Sequence, residues 1–342
     1  MRLLVMNCHE PWIYQLRVLD ADLDIVVGLS GRDLKAWDER MRPIPERARF
    51  LTMEEVNAAP ADTWDCVIAH NITDLIDLKA VVAPTLLMIH VTLDWRIAHN
   101  GGGVSAADMK KTLAKYLEIR SAHAMGVSTF KAATWGVRGD AVTFYSEPAD
   151  YPAPTYEKAA GLRVANHVSV RRQYLLWDFH EAAFAGLPVT LIGTNPELGA
   201  AAASSWSALK AELAAHRFFI HTADPRYEDG YNMASIEAMA AGLPVIGNRH
   251  PTSPIKHGVT GFLARTPDEL RRYAEQLLAD PELARRMGEA AREAVAHHYT
   301  PSRFRVGMEN AIATARRKFA RGAAAQTASA RQMARAGVTA GV

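Results

Sequence analysis

One pattern constrains this chain more than any other: short, continuous apolar runs separated by longer stretches with helical periodicity or turn residues. LLVMNC (3–8), DCVIAH (65–70) and TLLMIHV (85–91) are apolar at successive positions. A strand with one wet face alternates apolar and polar residues. A continuous run marks a strand covered on both faces, as in a parallel sheet between helical layers. Strands are expected at 3–8, 24–28, 66–69, 85–91, 124–128 and 142–145, with amphipathic stretches such as 107–122 between them. That is the βαβ rhythm of a doubly wound sheet.

The segment SEPADYPAPTYEKAAG (146–161) interrupts the rhythm with three prolines and a closing glycine, the composition of a linker. The rhythm restarts with strands expected at 162–166, 189–193, 218–221, 244–247 and 261–263. Helices are expected at 171–185, 206–215, 232–241, 267–278, 281–298 and 302–320. The implied organisation is an N-terminal Rossmann-like domain over 1–150 and a linker over 151–161. A second Rossmann-like domain follows over 162–300, then a closing helix over 301–321 and a loose basic tail over 322–342. A length of 342 residues with 49% apolar residues suits two such cores. A cleft between the two halves is the expected place for a ligand.

No apolar run reaches the roughly 20 residues that span a bilayer, and the first residues lack a signal-peptide pattern. A cytoplasmic protein is expected, with its two cysteines, Cys8 and Cys66, as reduced core thiols in strands. From Pro301 onward eight Arg or Lys stand against one acid, Glu309. No aromatic ladder or nucleic-acid motif accompanies them, so no nucleic-acid partner is expected. Residues 32–50 mix Arg32, Lys35, Arg40, Arg42, Arg47 and Arg49 with Trp37, Met41 and Phe50. Together with the tail they offer a peripheral contact to anionic lipid on the inner membrane face. Asp33, Asp38, Glu39 and Glu46 make a mixed surface the better reading. Self-association is left open.

The densest chemistry lies at 229–246, DGYNMASIEAMAAGLPVI. A strand ends near Thr222, a loop with Pro225 and Gly230 follows, and a helix starts near Asn232 and stops at Gly242. The amides around Gly230, Tyr231, Asn232 and Met233 form a helix start, which attracts phosphate through free N–H groups and the helix dipole. Asp229 precedes that start. Glu237 lies about one and a half turns in, where a carboxylate can accept two hydrogen bonds from a vicinal diol such as a ribose. Its neighbours are nearly all apolar or small, and a buried acid without a partner is costly. An ordinary helix-dipole acid and a solvated Glu are the bland alternatives.

This stretch resembles the signature of the group 1 type of retaining GT-B glycosyltransferases, acid-Gly-aromatic followed by Glu-Ala-Met-Ala-x-Gly-x-Pro-Val-Ile. PVTLIGTNPEL (188–198) resembles that family's strand ending in a Gly-x-x-Pro turn, at Gly193, and residues 257–293 resemble its passage into the closing helices. Val127-Ser-Thr-Phe-Lys131 resembles the end of its first domain. The resemblance covers most of 120–300 and little of 1–120. It implies a GT-B fold, two Rossmann-like domains facing across a cleft. It also implies a hexosyltransferase-type enzyme that needs no metal and no cofactor beyond a nucleoside-diphosphate sugar donor. The acceptor would be a glycan, a lipid-linked sugar or a small molecule.

By the same resemblance, Glu237 would hold the ribose and Asp229 would lie near the donor sugar, where the family more often has Glu. The amides of Gly230, Tyr231, Asn232 and Met233 would meet the diphosphate. In VANHVSVRRQ (164–173) Arg172 fits the family's Lys, with Arg171 beside it. The family's Arg falls near Asn166 or His167, so either His167 helps there or the site binds the diphosphate less strongly. His90, at a strand end, would face the donor sugar, with His9 and Glu10 in the same crevice. Gly101–Gly103 would belong to an acceptor-side loop. No metal site is expected: there is no CxxC and no HExxH, and Asp20-Ala-Asp22 precedes a strand instead of closing one. Two rival readings stand beside transfer. One is a sugar-nucleotide epimerase or hydrolase recruiting His90, Asp94 and His167. The other is a non-catalytic nucleotide-binding partner subunit.

Overall fold

The computed structural model describes residues 1–32, 35–99, 103–139 and 141–339. Two all-parallel sheets carry the chain. The first holds β1 (Arg2–Met6), β2 (Asp22–Val26), β3 (Ala48–Leu51), β4 (Cys66–Ala69), β5 (Thr85–Ile89) and β6 (His123–Gly126), in the order β3-β2-β1-β4-β5-β6. The second holds β7 (Lys158–Val164), β8 (Val189–Ile192), β9 (His216–Ile220), β10 (Val245–Asn248) and β11 (Gly261–Ala264), in the order β11-β10-β9-β7-β8. The strand order reverses between β1 and β4 in one sheet and between β7 and β9 in the other. In open α/β sheets such switch points place the ligand crevice beyond the strands' C-terminal ends.

The continuous apolar runs are central strands: β1, β4 and β5 are buried almost throughout. Alternate side chains serve opposite faces. Leu3, Val5, Cys66, Ile68, Leu86 and Met88 enter one core, and Leu4, Met6, Val67, Ala69, Leu87 and Ile89 enter the other. The first of these cores is closed by the last helix of the chain, Pro301–Thr339, through Phe304, Met308, Ala311, Ile312 and Ala315. The C-terminal helix therefore packs on the N-terminal sheet. It runs to Thr339 where the sequence suggested a loose tail from 322. The segment is rich in Ala, with Arg and Gln, and lacks proline, and its glycines weaken a helix without breaking it as proline would.

Three expected elements shift. Residues 142–145 form no strand; a bridge between Gly126 and Ala141 and the Val142 amide on the Gly126 carbonyl (3.1 Å) leave them beside the sheet edge. Edge strand β3 escaped the apolar criterion because one of its four residues is Arg49, paired with the buried Asp24 on β2. The helix expected at 171–185 begins only at Trp177, because Leu176 is left-handed (φ 46°). Arg163, buried on β7, explains this turn: its guanidinium donates to the Leu175 carbonyl and to Thr222 Oγ1 (3.2 and 2.7 Å). Burial lowers its pKa to about 9.

The cations of residues 32–50 are engaged within the protein. Arg32 meets Asp74 and Asp77, Arg40 meets Asp38, Arg47 meets Asp20 and Asp22, and Arg49 meets Asp24. The pairing also removes Asp20-Ala-Asp22 from the crevice, since Asp22 opens β2 at its N-terminal end. Gly101 and Gly102, from the expected acceptor-side loop, lie outside the described residues. No described helix is long and apolar enough to cross a membrane.

Candidate functional site in the interdomain cleft

The C-terminal ends of the two sheets meet. Thr92, after β5, donates to the Tyr227 carbonyl of the second domain (2.8 Å). Ser128, after β6, donates to Asp229 Oδ2 (2.7 Å), and both are buried. Lys131 reaches Glu228 (3.2 Å) and Asp229 (3.7 Å). Arg42, from the loop before β3, forms an ion pair with Glu237 and lies over the Trp206 ring (4.5 Å).

On the first wall, Cys8 follows β1, His70 follows β4 and His90 follows β5. His90 is at the strand end, as expected, but its Nε2 is tied to His70 Nδ1 (2.9 Å). Trp12 packs edge-on against both rings, at 5.1 and 5.0 Å. Burial keeps both imidazoles neutral, His70 with a pKa lowered to about 3 and His90 well below its ordinary value. Cys8 is only half-buried in this crevice, so it is not the core thiol the sequence suggested; Cys66 is. His9 stays accessible at the cleft mouth, yet the surrounding walls, and then Arg42, Arg171 and Lys131, push it down to about 4. Five buried polar atoms here have no partner among the described residues: both amide atoms of Asn7, Glu10 Oε1, Trp12 Nε1 and His70 Nε2. Leaving such a group unmet costs about 1–3 kcal/mol each, a cost that water or a bound polar ligand offsets.

The second wall is the helix start after β9. Asn232 caps the helix Met233–Ala240 and shares a capping box with Ser235. The expected row of free amides is therefore narrower. The Gly230 amide donates to Thr252 Oγ1 and the Asn232 amide to Ser235 Oγ, both at 2.8 Å. The amides of Tyr231, Met233 and Ala234 make no hydrogen bond among the described residues. Gly230 is required by contact, since a Cβ would lie 2.7 Å from the His250 ring. Tyr231 packs on Phe144 (5.7 Å). Asp229 is 3% exposed and its Oδ1 has no partner among the described residues. Glu237 is buried, as its apolar context implied, but its partner here is Arg42, a residue 195 positions away. Burial raises the Glu237 pKa, and Arg42 opposes that rise.

The flanking basic residues divide differently from expectation. Arg172 turns to its own surface, pairing with Asp178 and Glu181. Arg171 is the one in the cleft, 3.5 Å from Glu228, with a buried Nε that has no partner among the described residues. The late helix start is the cause: residues 168–176 are turns, and neighbouring side chains leave in different directions. His167 is exposed, in a left-handed conformation (φ 53°). Gly193 sits at φ 139°, and a Cβ there would lie 2.0 Å from the Ala165 carbonyl oxygen. Its glycine is demanded by the close approach of the loops after β7 and β8. Arg42, Ser128, Lys131, Glu228, His70 and Trp206 belong to the site and were not singled out for it from sequence. Ser128 had a local signal, a capping residue between a strand and a helix. Arg42, in a run of mixed charge, had none.

Two parallel Rossmann-like sheets with their C-terminal edges facing each other are a GT-B fold. Within it, residues 199–294 match the model of the family Glycosyl transferases group 1. Over 72 residues the chain is 44% identical to N-acetyl-alpha-D-glucosaminyl L-malate synthase of Bacillus anthracis, a match covering 20% of this chain and 19% of that one. The match thus spans about a fifth of that relative. HepE of Anabaena, solved in complex with UDP-glucose, superposes with a TM-score of 0.66 at 15% identity, covering 92% of this chain and all (100%) of that one. Sucrose-phosphate synthase of Thermosynechococcus elongatus gives 0.65 at 12% identity, covering 91% and 98%.

Proposed function

We propose that this chain is a retaining glycosyltransferase that moves a hexosyl group from a nucleoside-diphosphate sugar to an acceptor held by the first domain. The observation that carries this is the run from Asp229 to Glu237. It presents a buried carboxylate with an unmet oxygen, three unbonded amides at a helix start, and a second buried carboxylate, and both carboxylates meet first-domain side chains. The amides of Tyr231, Met233 and Ala234, with Arg171 and Lys131, suit the diphosphate and the charge that grows on it as the sugar departs. No metal is needed on that phosphate in this reading. Arg172 belongs to the surface, so Arg171 takes the role the resemblance gave its neighbour.

Glu237 would take the ribose diol, which requires it to exchange Arg42 for the nucleotide. Asp229 would hold a donor-sugar hydroxyl through Oδ1 while Ser128 keeps Oδ2. His90 stands on the opposite wall, where the resemblance places a group facing the donor sugar. In this reading both cleft carboxylates are spent on binding, Asp229 on Ser128 and a sugar hydroxyl and Glu237 on the ribose, which leaves neither as the attacking nucleophile. Front-face transfer, with the departing phosphate taking the acceptor proton, is therefore favoured. The complex of HepE with UDP-glucose supports the donor class. The acceptor, a glycan, a lipid-linked sugar or a small molecule, follows from the first domain.

The test is calorimetric titration of UDP, GDP, ADP and dTDP and their sugars into wild type and Glu237→Gln. At least one nucleotide should bind, and it should bind about tenfold more weakly to the variant, the value of one hydrogen bond to a charged group. Equal affinity in both proteins sinks the ribose assignment. Turnover of the bound sugar nucleotide without any acceptor would favour epimerisation or hydrolysis instead, and binding without turnover across acceptors a partner subunit.

A further inference from the structure

The donor reading leaves one cluster at the switch point of the first sheet largely unused. Cys8, His70 and His90 follow β1, β4 and β5, three strands adjacent in the sheet. One ligand-capable atom from each, a thiol sulfur and two imidazole nitrogens, lies within 4.8 Å of the others. His70 is 7% exposed and its Nε2 has no hydrogen-bond partner among the described residues. Trp12 packs against both rings and fixes their planes.

We propose that Cys8, His70 and His90 bind one borderline transition-metal ion, such as zinc, as a three-ligand site that leaves a fourth position for water or a small ligand. The donor set decides the class of ion. A thiolate with two imidazoles suits zinc, cobalt or copper and is poor for magnesium or calcium, which want carboxylate and carbonyl oxygens. The spacing is close to what is needed. Bonds of about 2.3 Å to sulfur and 2.0–2.1 Å to nitrogen put tetrahedral ligand atoms roughly 3.3–3.6 Å apart. His70 Nδ1 and His90 Nε2, now 2.9 Å apart, must open by a few tenths of an ångström, and the widest pair, within 4.8 Å, must close by up to about 1 Å. The thiol then gives up its proton to the solvent on binding, as any metal-ligating cysteine does.

Three protein ligands and one open position is the arrangement of sites that bind a substrate or water oxygen, in contrast to closed four-ligand sites. A cavity of about 200 Å³ borders the two histidines; Asn71, Thr73, Arg96 and Thr112 contribute polar groups, most of the remaining lining is apolar, and Cys8 does not line it. The cluster is on the wall opposite Asp229 and Glu237, so it does not replace the amides and cations assigned to the diphosphate.

Cobalt(II) is the probe, added to untagged, full-length, metal-free protein. One equivalent should produce the intense visible bands of tetrahedral cobalt and a thiolate-to-cobalt charge-transfer band in the near ultraviolet. Cys8→Ser should lose the charge-transfer band, Cys66→Ser should keep it, and His90→Asn should bind about tenfold or more weakly by competition with a chelator. Should Cys8→Ser not fold, the His90→Asn titration alone decides: undiminished affinity overturns the site. Absence of the charge-transfer band in the wild type, or its persistence in folded Cys8→Ser, overturns it as well. None of these readouts depends on Glu237, so loss of the metal site and loss of the nucleotide assignment are distinguishable.

Discussion

The two walls of the cleft are built in opposite ways. The second-domain wall is local: Asp229, the amides of 231–234 and Glu237 all fall within nine positions of one another, on one loop and one helix. The first-domain wall is assembled from ends of chain segments far apart, Cys8, Arg42, His70, His90, Ser128 and Lys131. The local wall leaves Asp229 Oδ1 and the amides of Tyr231, Met233 and Ala234 unbonded among the described residues. The assembled wall keeps five buried polar atoms unmet. The difference in assembly suggests a division of labour: one wall is a preformed receptor for a common chemical group, and the other is where particular ligands are told apart.

The sharpest way to break that comparison is to cut the contact that crosses it. Arg42 and Glu237 have side chains 5% and 8% exposed. Removing one partner of such a pair leaves a buried charge, at a cost of about 3–5 kcal/mol. Arg42→Ala should lower the urea-unfolding free energy by that amount, and Arg42→Ala/Glu237→Gln should recover most of it. A cost under about 1 kcal/mol would mean that the pair is hydrated in solution and that the walls stand apart without ligand. The next effect lies within the second domain. Gly193→Ala should cost about 3 kcal/mol, because φ 139° and a contact at 2.0 Å with the Ala165 carbonyl both oppose a Cβ. Wild-type-like melting of that variant would show that the two loops move apart at no cost.

A pH titration separates the walls from the helices behind them. His221, after β9, is buried, and burial first, then Arg163, His250 and Lys131, lower its pKa to about 3, while its contact with the Asp229 carbonyl opposes this. The unfolded imidazole titrates near 6.5. Between those values the unfolded chain holds a proton that the folded chain refuses, so stability is full above pH 6.5 and falls as pH drops below it. The contribution is about 1.4 kcal/mol per pH unit, or roughly 2 kcal/mol between pH 6.5 and 5. His221→Asn should flatten the pH dependence of the unfolding midpoint by that much. An unchanged slope would place His221 in water.

The fold was legible where the physics is local. Continuous apolar runs identify strands because a doubly covered strand has no polar face to show, and β4 and the helices 206–215 and 281–298 fall where the pattern puts them. β3 was hidden because an edge strand half in water has no such run. The start of the helix at Trp177 was hidden because a buried arginine on β7, 14 positions earlier, ties down the turn before it. In the site, Glu237 was legible as a buried acid, but its partner was not. Arg42 looks like any other arginine in a mixed-charge loop until the two domains are brought together. For the same reason His90 could be seen and its tie to His70 could not.

The smallest effect tests the finest point in the comparison, which of two adjacent arginines faces the ligand. Arg172 pairs with Asp178 and Glu181 on the surface, with side-chain exposures of 46%, 80% and 47%. Exposed pairs of this kind contribute about 0–1 kcal/mol and weaken with salt. Arg172→Ala should therefore leave the unfolding midpoint and the nucleotide affinity as they were. Arg171→Ala should be equally mild on stability, because its partner Glu228 keeps Lys131. Its cost should appear only with a diphosphate in the cleft, as an affinity loss of about tenfold that a nucleoside without phosphates does not show. If Arg172→Ala is the variant that loses diphosphate affinity, the turn at 168–176 rearranges on binding, and the resemblance located the cation better than the unliganded geometry does.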